Sequence, residues 1–181
     1  MNVKLFSPFT VNFAFVTDLI NETDRNKIKE YILNTAHKYS KNEALGVNDI
    51  SSHEATNEFI LDVFPELKNK IQYAVNEYCK QENKFEQKIS NSWFNVQTSG
   101  GFTAPHRHTN SVYSGALYIE SNPETQRIEW INPLEEFSGP DGVSSDCVPG
   151  ELIIWPSHLV HFVKSFSEDR RIVISFNTQN V

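Results

Sequence analysis

The spacing of apolar residues changes near residue 89, and this change divides the predicted secondary structure into two parts. Before it, apolar residues recur every three or four positions, which is the spacing of one face of a helix. From Ile89 onward they fall in short runs with strand-like periodicity, separated by turn residues. The pattern predicts N-terminal helices followed by a β-structure.

Two helices are predicted in the first part. A short strand over Thr10 to Val16 precedes the first helix, which either Asn21 or Thr23 can cap. The second helix begins near Ala55 and restarts at Pro65, a residue suited to a first helical turn. Residues 40–54 between them are predicted to be a loop. The faces expected to pack on a sheet contain Ile28, Tyr31, Ile32, Ala36 and Tyr39 in the first helix, and Leu67, Ile71, Val75 and Tyr78 in the second.

About seven or eight strands are predicted after Ile89. Turn sequences separate them at residues 99–101, 121–123, 138–142 and 149–150. This order predicts an α+β, mainly β fold: a jelly roll (double-stranded β-helix) with N-terminal helices, with an ordinary β-sandwich as the alternative. No Pro-, Gly- or Ser-rich linker interrupts the 181 residues, so we expect one domain, with residues 1–88 packing on a β-core of residues 89–181.

Composition and charge narrow the class of protein. The hydrophobic content of 39% and the absence of a long apolar run predict neither a membrane span nor a signal peptide. A net charge of −7 without a local basic patch predicts no nucleic-acid partner. The two cysteines, Cys79 and Cys147, imply no disulfide framework, so we expect a cytoplasmic protein. Oligomeric state is left open.

Candidate chemistry is concentrated at His106 and His108, in the sequence Pro-His-Arg-His. Side chains two positions apart on an extended segment point to the same face, so the two imidazoles can converge on one metal ion. A catalytic metal needs a third protein ligand and an open position. His161, in the apolar segment 150–163, can supply that ligand. The other histidines, His37, His53 and His158, are predicted to be surface, helix or supporting residues.

The order of these residues resembles the Fe(II)- and 2-oxoglutarate-dependent oxygenases, which carry a His-x-Asp/Glu pair, a distal His and an Arg about one hairpin beyond it. The segments WFN, PHRH, SGALYI, GELIIWPSHLVH and RIVISFN are similar to a bacterial and phage subfamily of these enzymes, from about Trp93 to the C-terminus. The resemblance implies a jelly roll, Fe(II) and 2-oxoglutarate as cofactors, and O2 as co-substrate. The implied reaction is hydroxylation of a C–H bond in a small molecule or amino-acid residue, with release of succinate and CO2.

The resemblance assigns the metal ligands to His106, His108 and His161, and places His108 where the wider superfamily has a carboxylate. The nearest loop carboxylates that can replace it as a ligand are Asp141 and Asp146. A three-histidine centre also fits a cupin-type metalloenzyme that does not use 2-oxoglutarate. A non-catalytic metal- or ligand-binding jelly roll is a further alternative.

Arg171 is predicted to bind the far carboxylate of 2-oxoglutarate, because a guanidinium is a planar, bidentate donor. Counting in twos along its strand places Val173, Ser175 and Asn177 on the same face as Arg171. The opposite face carries Ile172, Ile174 and Phe176. Arg171 therefore shares the mixed polar face expected of a pocket, and we prefer it to Arg170.

Three further residues are candidate cofactor contacts. The resemblance places Tyr118 and Asn95 near the cofactor, and Ser175 can add a hydroxyl contact. Residues 139–145 lie between the two groups of ligands and form a polar, glycine-containing segment. This segment is predicted to be a lid over the substrate.

Overall fold

A computed structural model of the chain describes residues 10–39, 49–54, 58–133, 142–167 and 169–181. Within these residues it contains three α-helices, a short 3-10 helix (Ala36–Lys38) and ten strands. The elements are β1 (Ala14–Val16), α1 (Glu22–Thr35), β2 (Asp49–Ser51), α2 (Ile60–Val63), α3 (Pro65–Gln81), β3 (Gln87–Gln97), β4 (Thr103–His106), β5 (Tyr113–Glu120), β6 (Arg127–Ile131), β7 (Gly142–Asp146), β8 (Leu152–Pro156), β9 (His161–Val163) and β10 (Arg171–Asn180).

The strands form two antiparallel sheets. One sheet has the order β1-β8-β5-β10-β3-β2, and the other has the order β4-β9-β6-β7. Eight of the described strands, β3 to β10, lie in the part of the sequence predicted to hold seven or eight. Two antiparallel sheets of this kind build a jelly roll. The predicted fold is therefore confirmed: it is mainly β, with a few helices before the main strands.

The helices cover one face of the six-stranded sheet. Asn21 caps α1, because its side chain accepts a hydrogen bond from the Asp24 N–H at 2.8 Å. Helix α3 begins at Pro65 as predicted. The predicted restart at Pro65 is also present, because Phe64, whose backbone (φ −120°, ψ 72°) is not helical, separates the four-residue α2 from α3. Residues 55–57 lie outside the described part of the chain.

Two apolar clusters lie on opposite faces of the six-stranded sheet. The helix-facing cluster includes the predicted faces of α1 and α3, together with Phe94, Leu117, Ile172, Ile174 and Phe176. The inter-sheet cluster includes Ala116, Tyr118, Ile128, Trp130, Ile153, Trp155 and Val173. The predicted alternation along β10 is therefore correct. Gly115 on β5 leaves room for the Phe176 ring, because a Cβ there would overlap it.

Two predictions about connecting segments are wrong in their described parts. The loop predicted over residues 40–54 contains β2, whose residues Asp49, Ile50 and Ser51 pair with the end of β3. The loop predicted over residues 139–145 includes residues 142–145, which belong to β7 and pair with β6, whereas the role of this segment as a lid stays a prediction. Residues 139–141 lie outside the described part. The described helices include none that is both long and apolar enough to cross a bilayer.

Candidate metal and cofactor site

Three histidines from separate positions in the chain converge between the two sheets. His106 ends β4 and His161 begins β9, and these two residues are directly paired across the antiparallel strands. His108 follows β4, and its backbone N–H donates to the carbonyl of Ser157 at 3.0 Å. One ligand nitrogen of each histidine lies within 4.8 Å of the others. The structure therefore brings together the three residues predicted to bind a metal.

Hydrogen bonds determine which nitrogen of each ring faces the centre. The Nδ1 atom of His106 lies 2.8 Å from the Ala104 carbonyl oxygen, and that of His161 lies 3.1 Å from the Leu159 carbonyl oxygen. The Nδ1 atom of His108 lies 2.6 Å from Asn177 Oδ1. These oxygens can only accept, so each Nδ1 carries the proton and each Nε2 keeps its lone pair. The Nε2 atoms of His106 and His108 are 3.2 Å apart.

Burial keeps the three rings in the form that binds metals. It lowers the pKa of His108 to about 4 and that of His161 to about 3, and it also lowers the pKa of His106. All three are therefore neutral at pH 7, and neutral imidazole is the form that binds a metal ion.

A polar network orients His108. Asn177 Oδ1 accepts from His108 Nδ1 and, at 2.8 Å, from the Ser114 hydroxyl. The Ser114 hydroxyl also lies 2.8 Å from that of Ser157. Asn177 lies on the pocket face of β10, as predicted, although the sequence indicated no role for it. Its even spacing from Arg171 was the available signal, whereas its contact with His108 depends on the tertiary structure.

Arg171 lies in the same cavity as the histidines. It is only 4% exposed, and its Nη1 donates to Gln97 Oε1 at 2.6 Å. Its guanidinium carbon lies 5.6 Å from the centre of the Tyr118 ring, and its Nε has no hydrogen-bond partner among the described residues. Arg170 instead pairs with Glu120 at 2.9 Å.

The charge of Arg171 is not matched by a direct ion pair. Among the described residues, no carboxylate oxygen lies within 4.0 Å of its guanidinium. Burying a cation without a paired anion is costly, because the cation loses its hydration without an equivalent replacement. This arrangement favours an anionic ligand in the cavity.

Asp49 is a buried carboxylate of the cavity that was not among the predicted site residues. Gln97 on β3 is the direct partner of Asp49 on β2 and also of Arg171 on β10, so the three form a row across the sheet. Asp49 is 3% exposed, and its Oδ1 lacks a hydrogen-bond partner among the described residues. Burial raises its pKa to about 6, although the nearby Arg171 opposes this increase. The carboxylate lines the cavity that contains Arg171 and the histidines.

The remaining predicted cofactor contacts occupy different positions around this cavity. Asn95 and Ser175 line it, and Asn95 Oδ1 accepts from the Ser51 hydroxyl at 2.5 Å. Tyr118 is completely buried against Arg171, and its hydroxyl lacks a hydrogen-bond partner among the described residues. Burial raises the pKa of Tyr118, so its hydroxyl stays protonated. The predicted contacts of Asn95, Ser175 and Tyr118 with the cofactor therefore stay predictions.

Other candidates lie away from the three imidazoles. Asp146 pairs with Arg127 at 2.9 Å on β7, so it is not placed as the alternative metal ligand. Asp141 lies outside the described residues. His37 and His158 are exposed. His53 is also exposed, but its ring centre lies 4.7 Å from that of Trp93, which lines the cavity. His53 is therefore closer to the site than its predicted surface position suggested.

Residues 91–177 match the sequence profile of a family described as "Putative 2OG-Fe(II) oxygenase". The matched segment contains the three histidines, Asn95, Tyr118, Arg171 and Ser175. No curated protein matches the chain by sequence. The family match confirms the resemblance predicted from the sequence.

Solved structures of three proteins have similar folds. A prolyl-4-hydroxylase from Pseudomonas putida has a TM-score of 0.67 and 13% identity, covering 95% of this chain and 94% of its own. HygX from Streptomyces hygroscopicus, with nickel and 2-oxoglutarate bound, has a TM-score of 0.68 and 9% identity, covering 95% and 84%. The viral collagen prolyl hydroxylase of Paramecium Bursaria Chlorella virus-1, in complex with 2-oxoglutarate, has a TM-score of 0.65 and 10% identity, covering 93% and 96%. At these identities the comparison shows a shared fold.

Proposed function

We infer that this chain belongs to the Fe(II)- and 2-oxoglutarate-dependent oxygenases and that it hydroxylates a C–H bond of its substrate. The observation that carries this proposal is one cavity lined by three neutral imidazoles and a buried guanidinium without an ion-pair partner among the described residues. The imidazoles suit a divalent metal, and the guanidinium suits the carboxylate of a keto acid. The buried guanidinium argues against a three-histidine enzyme that does not use 2-oxoglutarate.

The donor atoms fit an iron site with His106, His108 and His161 as ligands. Their Nε2 lone pairs are available because each Nδ1 is hydrogen-bonded to an oxygen. His108 replaces the usual carboxylate, so these three ligands do not offset the charge of Fe(II). Three protein ligands leave coordination positions for the cofactor and O2. When bound, Fe(II) and 2-oxoglutarate supply the activation of O2 and the oxidation of the substrate, with succinate and CO2 as products.

The residues around Arg171 fit the far carboxylate of 2-oxoglutarate. Gln97 accepts from one Nη and limits the movement of the guanidinium, while the face of Tyr118 stabilises its charge. Ser175 and Asn95 can add hydrogen bonds from the cavity wall. Two large aromatic side chains, Trp93 and Trp155, are buried in the same wall and exclude water from it.

The substrate class is proposed to be a small molecule or an amino-acid residue, with O2 as co-substrate. Prolyl hydroxylases among the proteins of similar fold support an amino-acid residue as one option. We also propose a cytoplasmic location, which is supported by two buried cysteines without a disulfide.

An anaerobic titration of the purified protein with Fe(II) and then 2-oxoglutarate tests this function. Visible absorption should show the metal-to-cofactor charge-transfer band in the wild type. The band should be lost in His161→Ala, which removes a metal ligand, and in Arg171→Ala, which removes the carboxylate partner. Arg170→Ala is the matched control, because it removes an adjacent arginine that pairs with Glu120 outside the cavity.

A protein that binds iron but gives no band with 2-oxoglutarate would overturn the proposed cofactor. A band that persists in Arg171→Ala would instead exclude Arg171 as the principal carboxylate partner. If the wild type gives the band, succinate release with amino acids, peptides and small metabolites identifies the substrate. Oxygen in the new hydroxyl should then derive from O2, which labelled oxygen gas and mass spectrometry can measure.

A further inference from the structure

Asp49 places a second buried charge beside the proposed cofactor-binding arginine. Its side chain is 3% exposed and lines the cavity, and its Oδ1 has no hydrogen-bond partner within the described chain. An oxygen buried in this way carries a desolvation cost that a ligand with a suitable polar group can reduce. The position therefore needs an explanation beyond the packing of β2.

Strand pairing fixes the relation between Asp49 and Arg171. Each is paired across the sheet with Gln97, from opposite sides, and Arg171 donates to the Gln97 side chain. Both residues line one cavity and their charges interact, so an anion bound there by Arg171 lies within electrostatic reach of Asp49. Two ionised carboxylates in a buried site repel each other, and a shared proton removes this repulsion.

We propose that Asp49 is a second cofactor-binding residue, which is protonated in the complex and donates a hydrogen bond to the 2-oxoglutarate carboxylate held by Arg171. This proposal rests on the proposed function. When Asp49 is ionised in the free protein, its carboxylate takes one proton from solvent as the cofactor binds. Arg171 supplies the positive charge, and Asp49 supplies a neutral donor in place of a repelling anion.

The electrostatics of the cavity support this role. Burial raises the pKa of Asp49 to about 6 in the free protein, although Arg171 opposes the increase. The other titratable groups that line the cavity with Asp49 in the described structure are the three histidines, and burial lowers their pKa values. Gln97, which lies between Asp49 and Arg171, is uncharged. A bound carboxylate then raises the Asp49 pKa further, because it adds a negative charge beside this group.

The expected signature is a cofactor affinity that decreases as the pH rises above about 6. Below that pH, Asp49 already carries its proton, whereas at higher pH the cofactor must bind together with a proton. This decrease should extend from the Asp49 pKa of the free protein to the higher Asp49 pKa of the complex. For each pH unit between these two values, the affinity for 2-oxoglutarate should fall by about tenfold. Over the same range, proton uptake should approach one per cofactor bound.

The experiment measures the binding of 2-oxoglutarate to the Fe(II)-loaded protein under anaerobic conditions from pH 6 to 8. Absorption gives the dissociation constant, and calorimetry in buffers of different ionisation enthalpy gives the number of protons taken up. Asp49→Asn retains the size of the side chain and is a neutral donor at every pH. It should bind the cofactor without proton uptake, with little dependence on pH, and more tightly than the wild type at pH 8. Asp62→Asn, which removes an exposed carboxylate paired with Lys68, should behave like the wild type.

Wild-type affinity that is independent of pH, with no proton uptake, would overturn the role of Asp49. Weaker binding in Asp49→Asn than in the wild type at pH 8 would also overturn it, because a permanently neutral donor should bind the anion more tightly than a group that must first take up a proton. If the variant does not fold, the proton uptake of the wild type tests the proposal by itself: uptake approaching one proton per cofactor supports it, and no uptake overturns it. Failure of the iron-loaded wild type to bind 2-oxoglutarate at any pH would instead overturn the proposed function, and with it this inference.

Discussion

Replacing Arg171 with methionine separates an arginine that binds a ligand from one that holds the fold together. If the arginine is structural, breaking a buried charge network should lower the free energy of unfolding by about 3–5 kcal/mol. We expect a smaller effect, because no described carboxylate lies within 4.0 Å of the guanidinium, so its removal leaves no directly paired anion. Relief of the cation's desolvation opposes the loss of the hydrogen bond to Gln97, so the cofactor-free variant should differ from the wild type by less than about 3 kcal/mol.

The cofactor should stabilise the wild type and not the methionine variant. At a concentration about 100 times its dissociation constant, 2-oxoglutarate should stabilise the metal-loaded wild type by about 2.7 kcal/mol. Arg171→Met should gain no such stabilisation at the same concentration. Arg171→Lys retains the charge but loses the planar pair of donors, so we expect weaker stabilisation by the cofactor than in the wild type.

Urea denaturation under anaerobic conditions, with and without 2-oxoglutarate, measures both effects. The measurement is best made at pH 6, close to the Asp49 pKa of about 6, so that Asp49 can take up a proton when the arginine is removed. A loss of more than about 3 kcal/mol in the cofactor-free variant would refute the reasoning. Full stabilisation of Arg171→Met by 2-oxoglutarate would refute it independently.

Three further substitutions test other parts of the structure. Asn177→Ala should lower the Fe(II) affinity by about 10–100-fold, because His108 loses the acceptor that orients it; an unchanged anaerobic metal titration would contradict this. The Asp49 pKa rises from 3.8 to about 6 on folding, so the native wild type loses stability as the pH increases through this interval. Asp49→Asn should therefore be more stable than the wild type by up to about 3 kcal/mol at pH 7, with a much smaller advantage near pH 4; an advantage that does not depend on pH in denaturation curves would exclude this cause. Gly115→Ala should cost about 1–3 kcal/mol, because the added methyl meets the Phe176 ring, and should leave 2-oxoglutarate affinity unchanged; equal stability in denaturation would show that the ring moves aside.

The part of the site that could be predicted depends on local geometry. The residues of β10 alternate between faces with a period of two, so the separation of Arg171 and Ser175 from Ile172 and Ile174 follows from their positions in the sequence. The same rule predicts that His106 and His108 can converge. Helix α3 is likewise predictable, because its apolar spacing and Pro65 are local signals.

The errors fall where pairing between distant segments decides the structure. β2 has only three residues and lacks a clear apolar alternation, and it becomes a strand by pairing with β3. Residues 142–145 have the composition of a loop, yet they pair with β6. Backbone hydrogen bonds to another strand can stabilise such segments regardless of their weak intrinsic preference.

The sequence by itself determined the alternating faces of β10, the nearness of His106 and His108, and the family resemblance. Only the tertiary structure decided that His161 lies opposite His106, that Asn177 orients His108, and that Asp49 lies across Gln97 from Arg171. The physical reason is that the direction of a side chain follows from the local backbone period, whereas its partners depend on strand register. Its burial also depends on how distant segments pack, and burial sets the charges in this cavity.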